Sequence, residues 1–138
     1  MDNDLIKNVR KRWLYGLFEL SHIDYQRKVW LGKSANLLSS FDEAICSYFD
    51  DLDLNDDYSD FIRDGFATQE EIAILMSFHS GLDNYINNPG KKVFYNKEVL
   101  GDKEWIALTY IGNKAWKLLK QNIRDEQELL LISELEKS

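Results

Sequence analysis

Six aspartates, Asp50, Asp51, Asp53, Asp56, Asp57 and Asp60, crowd positions 50–60 and form the densest set of side chains able to do chemistry. Carboxylates at alternate positions are the ligand pattern of a calcium loop. With Asp51 at loop position 1, Asp53 and Asn55 take positions 3 and 5. Asp56 then stands at position 6, where the sharp turn needs glycine, and Ile62 at position 12, where a bidentate glutamate is required. Starting at Asp53 places Tyr58 at position 6 and Asp64 at position 12, and the glycine is again missing. An EF-hand is excluded. Three readings stay open: an irregular divalent-cation site, a solvated face whose Asp56 and Asp57 favour a helix start, and a surface for a basic partner.

Histidine and cysteine add little. His79 precedes Asp83 by one helical turn, a spacing that orients an imidazole but also makes an ordinary helix pair. His22 sits at an expected helix cap. The chain has no repeated Glu-x-x-His, no His-Glu-x-x-His, no Gly-x-Ser-x-Gly, no P-loop, no dinucleotide fingerprint and no paired Cys-x-x-Cys. Its one cysteine, Cys46, cannot close an internal disulfide, which suits a reducing cytosol. Apolar neighbours make Cys46 a small buried hydrophobe, and the surrounding negative charge raises a thiol pKa. No catalytic residue, metal ligand or cofactor site is assigned.

The charge is unevenly spread. Residues 1–41 hold 7 basic and 4 acidic side chains, residues 42–71 hold 1 and 11, and residues 72–138 hold 9 and 9. The net charge of −7 therefore arises from one window, residues 42–71, whose excess of carboxylates outweighs the basic first segment, with Tyr48, Phe49, Tyr58 and Phe61 threaded through it. A pI near 4.8 argues against nucleic acid and against anionic membranes, both of which need clustered Lys and Arg. The first residues, Met1-Asp2-Asn3-Asp4, lack the layout of a signal peptide, and no run approaches the roughly eighteen apolar residues of a membrane span. The expectation is a soluble, cytoplasmic protein.

The elements that must position these residues read as helices. Chain length and a hydrophobic fraction of 44% fit one all-α domain over 1–138, with six or seven helices. The first begins near Asn3 or Asp4, with Leu5, Val9, Trp13, Leu17 and Leu20 on one face and Lys7, Arg10, Lys11 and Arg12 opposite. Ser21-His22-Ile23-Asp24 caps a second, which ends near Leu31 before Gly32. A third is expected from Ala35 to Asp51 with Ser40 inside it, since Leu37, Leu38, Phe41, Ile45 and Phe49 share a stripe. A fourth spans Asp56 to Asp64, burying Tyr58, Phe61 and Ile62 and stopping at Gly65. Thr68-Gln69-Glu70-Glu71 is a capping box opening a fifth, whose core face is Ile72, Leu75, Met76, His79, Leu82 and Ile86. Lys92 to Tyr95 is a short strand or an extended connection. Asp102 caps a sixth helix to about Gln121, presenting Trp105, Ile106, Leu108, Ile111, Ala115, Trp116 and Leu119. A last helix runs from about Asp125 to Lys137. Of the four tryptophans, Trp30 is the candidate for exposure, beside Lys28, Gly32 and Lys33.

A small acidic helical protein without its own chemistry suits the neutralisation of a basic nuclease, whose lysines and arginines would meet its carboxylates. The stretches Ser40-Phe41-Asp42-Glu43 through Tyr48-Phe49-Asp50-Asp51-Leu52, Gly65-Phe66-Ala67-Thr68-Gln69-Glu70-Glu71 and Phe78-His79-x-x-Leu82-Asp83-x-Tyr85 resemble small bacterial immunity proteins of contact-dependent growth inhibition and related polymorphic toxin systems. The resemblance covers about a third of the chain and lies in acidic helices, size and texture. It implies a cytoplasmic antitoxin that binds its cognate toxin domain. Charge density places the contact surface on Asp50, Asp51, Asp53, Asp56, Asp57, Tyr58, Asp60 and Asp64. Two other readings stand beside it: a helical adaptor or weak homodimer using Leu129-Leu130-Leu131-Ile132, and a hydrolase whose aspartates from two helices converge on a divalent metal.

Overall fold

The computed structural model describes residues 3–34, 37–54, 58–91 and 94–138. Among these there are eight α-helices and no strand: α1 (Asn3–Ser21), α2 (Ile23–Trp30), α3 (Phe41–Phe49), α4 (Ser59–Arg63), α5 (Gln69–Ile86), α6 (Asn96–Gly101), α7 (Lys103–Asn122) and α8 (Glu126–Glu136). The all-α expectation holds, with one more helix than the upper count. No helix of the described residues is long and apolar enough to cross a membrane.

Helix α1 is the hub, lying against α2, α3, α7 and α8. Its C-terminal half, from Trp13 to Ser21, is buried nearly all round, as expected of a helix enclosed by neighbours. Helices α5 and α7 make the most extensive pairing. They approach closely because each offers a glycine to a large side chain of the other. Leu108 packs over Gly81, and Phe78 fills the place of a side chain at Gly112, where a Cβ would lie 2.6 Å from the ring. The buried face of α7 is Trp105, Leu108, Thr109, Gly112, Ala115, Trp116 and Leu119, a strict three-four spacing. Ile106 and Ile111 fall off that stripe and are exposed, contrary to the expectation.

Local chemistry sets most helix ends. The Thr68 hydroxyl accepts from the Glu71 N–H while Glu71 accepts from the Thr68 N–H, completing the capping box. Asp102 and Asp125 accept N–H bonds at the starts of α7 and α8. Gly32 and Gly65 take positive φ of 71° and 85° just beyond α2 and α4. At each, two N–H groups return to carbonyls three and five residues earlier, the paired bonds of a left-handed helix cap.

Four local expectations are corrected. Helix α3 starts at Phe41, because Ser40 is its N-cap and accepts from the Glu43 N–H, and Asp42 and Glu43 then sit in the first turn where the dipole favours them. Residues 37–40 are not helical, and Leu38, assigned to the stripe, is 84% exposed. Helix α1 runs through Ser21, so Ser21 is not the cap of α2; His22 takes that position, with its ring held by the Phe18 carbonyl and Ser21 hydroxyl. Helix α4 is shorter than expected, beginning at Ser59.

Trp30 is buried, not exposed. Its indole N–H donates to Glu19, and its ring packs with Phe41 and Trp105. Helix α6, which the sequence does not announce, closes this aromatic cluster. Asn96 accepts from the Phe41 N–H at 2.8 Å and donates to the Trp30 carbonyl, tying α6 to two other helices. Phe94 stacks on Phe41 and Tyr95 is exposed without pairing as a strand, while Lys92 and Val93 lie outside the described residues. Buried Gln26 joins α1 to α7, donating to the Glu19 carbonyl and accepting from the Trp105 indole.

Candidate functional site: an acidic edge along α3 and α4

Between Ser40 and Ile62 the chain has no Lys, Arg or His, and its carboxylates start at the first turn of α3. Asp42 and Glu43 are exposed there. At the other end of α3 the chain turns tightly. The Asp50 and Asp51 N–H groups both return to the Cys46 carbonyl, the Leu54 N–H returns to Phe49, and Asp53 adopts a positive φ of 51°. Aspartate tolerates this left-handed conformation better than most residues. Leu52, Leu54 and Phe49 pack against the core, so the alternating aspartates are turned out. Asp50, Asp51 and Asp53 are all exposed.

Asp60 and Asp64 have a different setting. Arg63, the single cation of the window, reaches Asp60 at 3.0 Å and Asp64 at 3.4 Å, so these carboxylates are partly neutralised within α4 and its cap. Asp56 and Asp57, which the sequence places in the contact surface, lie outside the described residues. Among the described residues no three His, Cys, Asp or Glu side chains gather as a set of metal ligands.

Tyr58 does not belong to any surface. It is 0% exposed, with a left-handed backbone at φ 61° that turns its ring inward at the start of α4. Its hydroxyl accepts from the Trp13 indole at 3.1 Å and bonds the Tyr48 hydroxyl, which in turn meets Nδ1 of His79 at 2.8 Å. A phenol in this relay satisfies two other buried groups, a demand no local sequence pattern reveals. Burial pushes both phenols up, and the neighbouring Tyr58 adds to the effect on Tyr48. His79 is buried as expected for the core face of α5.

Cys46 is exposed rather than buried, because it falls on the solvent side of α3 between Asp42 and Asp50. Its thiol is pushed up by local desolvation and then by Asp50. That direction agrees with the sequence reading; the burial does not.

Two charged residues acquire roles that the sequence conceals. Arg10, expected on the outer side of the first helix, is tucked between α5 and α8. Its five N–H groups make five bonds, to Glu71 (two, at 2.9 Å), Glu128 (2.7 and 2.9 Å) and the Phe66 carbonyl (2.9 Å). Glu71, counted in the acidic window, is thereby withdrawn from the surface. Glu19 is also buried, held by the Trp30 indole at 2.8 Å. The spacing of Arg10 to Glu128 spans 118 residues, so no short-range signal reports it. No protein-family model, curated protein or solved structure matches the chain.

Proposed function

We propose that this protein is an immunity-type inhibitor that binds a basic toxin domain, a nuclease, through the acidic edge of α3 and the turn after it. The observation that carries this reading is the outward set Asp42, Glu43, Asp50, Asp51 and Asp53, exposed and without a basic residue in the same stretch of chain. A field of one sign speeds encounter with an oppositely charged partner, toward roughly 10⁸–10⁹ M⁻¹s⁻¹ at low salt. Neighbouring Leu52 and Phe49, half-buried, supply apolar contact that prolongs residence.

The test takes the product of the reading frame beside this one in the source genome. That product is expected to be a basic domain, toxic when expressed alone, harmless when coexpressed with this chain, and bound to it in a purified mixture. A non-toxic or non-binding product rejects the reading. Triple replacement Asp50→Asn, Asp51→Asn, Asp53→Asn is expected to slow association about tenfold or more at low salt and to flatten its salt dependence. Stopped-flow mixing reads both, and circular dichroism checks that the helices persist. Unchanged rates would remove the acidic edge from the interface.

A second reading has its own observation. Leu130 is 66% exposed on α8 beside half-exposed Leu129, an apolar pair that suits self-association. Light scattering across a concentration series is expected to show dimer growth if that pair is an interface; a monomer throughout removes it.

A further inference from the structure

A groove of about 650 Å³ runs between α1 and α3, and Glu19 lies on its wall with Tyr15, Gly16 and Ser47. Glu19 is 5% exposed. The Trp30 indole N–H donates to it, and so does Ser39. No Lys, Arg or His forms an ion pair with it among the described residues. A buried carboxylate with hydrogen bonds but no cation is an expensive arrangement, and a cation entering the groove would complete it. Burial pushes this carboxyl up despite the bonds from Trp30 and Ser39, and the charge of Glu43 adds to the rise.

The rest of the groove agrees. Gly16 lies one turn before Glu19, inside α1, where glycine is less stable than alanine. Packing does not require it, since a Cβ there would meet only Tyr48 Cδ1, at 4.0 Å. Gly16 and Glu19 line the groove together. Lys11 and Arg12 also line the groove, beside Asp51. Along α1 they precede Glu19 by about two turns. The Glu19 end, with Glu43 near it, is the acidic end.

We infer that this groove receives a guanidinium group, the arginine side chain of the bound partner, with Glu19 as its carboxylate and the half-exposed Tyr15 ring beside it. Guanidinium suits the place better than ammonium, being planar, weakly hydrated and able to lie against an aromatic ring. The inference rests on the partner-binding reading above and supplies the residence contact that the outer aspartates lack.

The test uses the full chain, labelled with ¹⁵N, and methylguanidinium as probe at constant ionic strength. The reporter is the Trp30 indole N–H, identified by its loss in Trp30→Phe. The expected result is a saturable shift with a dissociation constant of about 1–10 mM, at least about tenfold weaker for methylammonium. Glu19→Gln, which keeps an acceptor for Trp30, is expected to abolish saturation. Should that variant unfold, Ser47→Tyr narrows the groove from the exposed side of α3 and is expected to do the same. A shift that is unsaturable in the wild type, equal for methylammonium, or unchanged in the folded variants overturns the inference. Because the probe is a small cation, these outcomes are independent of whether a toxin domain binds the outer aspartates.

Discussion

Replacing Arg10 with alanine is expected to destabilise the fold by about 3–5 kcal/mol at neutral pH, the range for removing one partner of a buried ion pair. The guanidinium holds three elements together through α1, α5 and α8, and it also satisfies the Phe66 carbonyl just before α5. Its loss leaves Glu71 buried and charged, with Thr68 alone to answer it. Urea unfolding followed by tryptophan fluorescence measures the change. A loss under about 1 kcal/mol would mean that the pair is no stronger than an exposed surface bridge.

The pH dependence gives an independent check. Burial pushes the Glu71 carboxyl up, but the Arg10 hydrogen bonds, the Thr68 N–H and the Arg10 charge together hold it below the usual glutamate value. A carboxyl lowered in the folded state contributes stability above its unfolded pKa and loses it as pH falls through the folded value. The wild type is therefore expected to weaken as pH drops below the ordinary glutamate range. In Arg10→Ala the sign reverses for this residue. Burial, the largest single influence, then stands against the Thr68 hydrogen bonds alone, so the folded pKa is expected to rise above the unfolded one and acid to relieve the uncompensated charge. The gap between wild type and variant is thus expected to narrow toward pH 4. A gap that widens there would contradict the assignment.

Tyr58→Ala is expected to cost about 3–5 kcal/mol, since it empties the volume of a fully buried ring. Tyr58→Phe separates the hydroxyl from the ring. It leaves the Trp13 N–H without its acceptor and Tyr48 without one partner, for a loss of about 1–3 kcal/mol. Both are read by thermal and urea unfolding. Tyr58→Phe is also expected to leave partner association unchanged, in contrast to the aspartate variants. An altered on-rate with normal stability would place the phenol at the surface, against its burial. The comparison matters because Tyr58 and Asp60 are near neighbours in the chain yet face opposite environments. The left-handed turn at Tyr58 sends the ring to the core, while the next turn leaves Asp60 to Arg63 and solvent.

The two residues that carry these effects mark the limit of what the chain discloses locally. Several helix ends are legible because their determinants lie within a turn. Thr68 and Glu71 are three residues apart, Asp102 and Asp125 each cap the next few N–H groups, and Gly32 and Gly65 take a backbone region closed to most side chains. The amphipathic stripes of α5 and the greater part of α7 follow from the same short-range spacing. Ser40 shows where local signals compete: an apolar stripe and a cap both claim it, and one hydrogen bond with two favourable carboxylates outweighs a stripe whose Leu38 has nothing to pack on.

Faces and partners obey longer distances. Arg10 looks like an exposed cation until α5 and α8 bring Glu71 and Glu128 to it across 61 and 118 residues. Trp30, at a helix end among lysines, is covered only because α6, α7 and α3 converge on it. Glu19 becomes a carboxylate without a cation only because α2 and α3 close over α1. The amino-acid order alone therefore settles the helical class, the caps at Thr68 and Asp102 and the concentration of charge, since each depends on neighbours within a few residues or on composition. Which charges are consumed inside the molecule and which remain to meet a partner is a property of packing. It depends on residues that share no sequence neighbourhood, and desolvation decides it only once they are assembled.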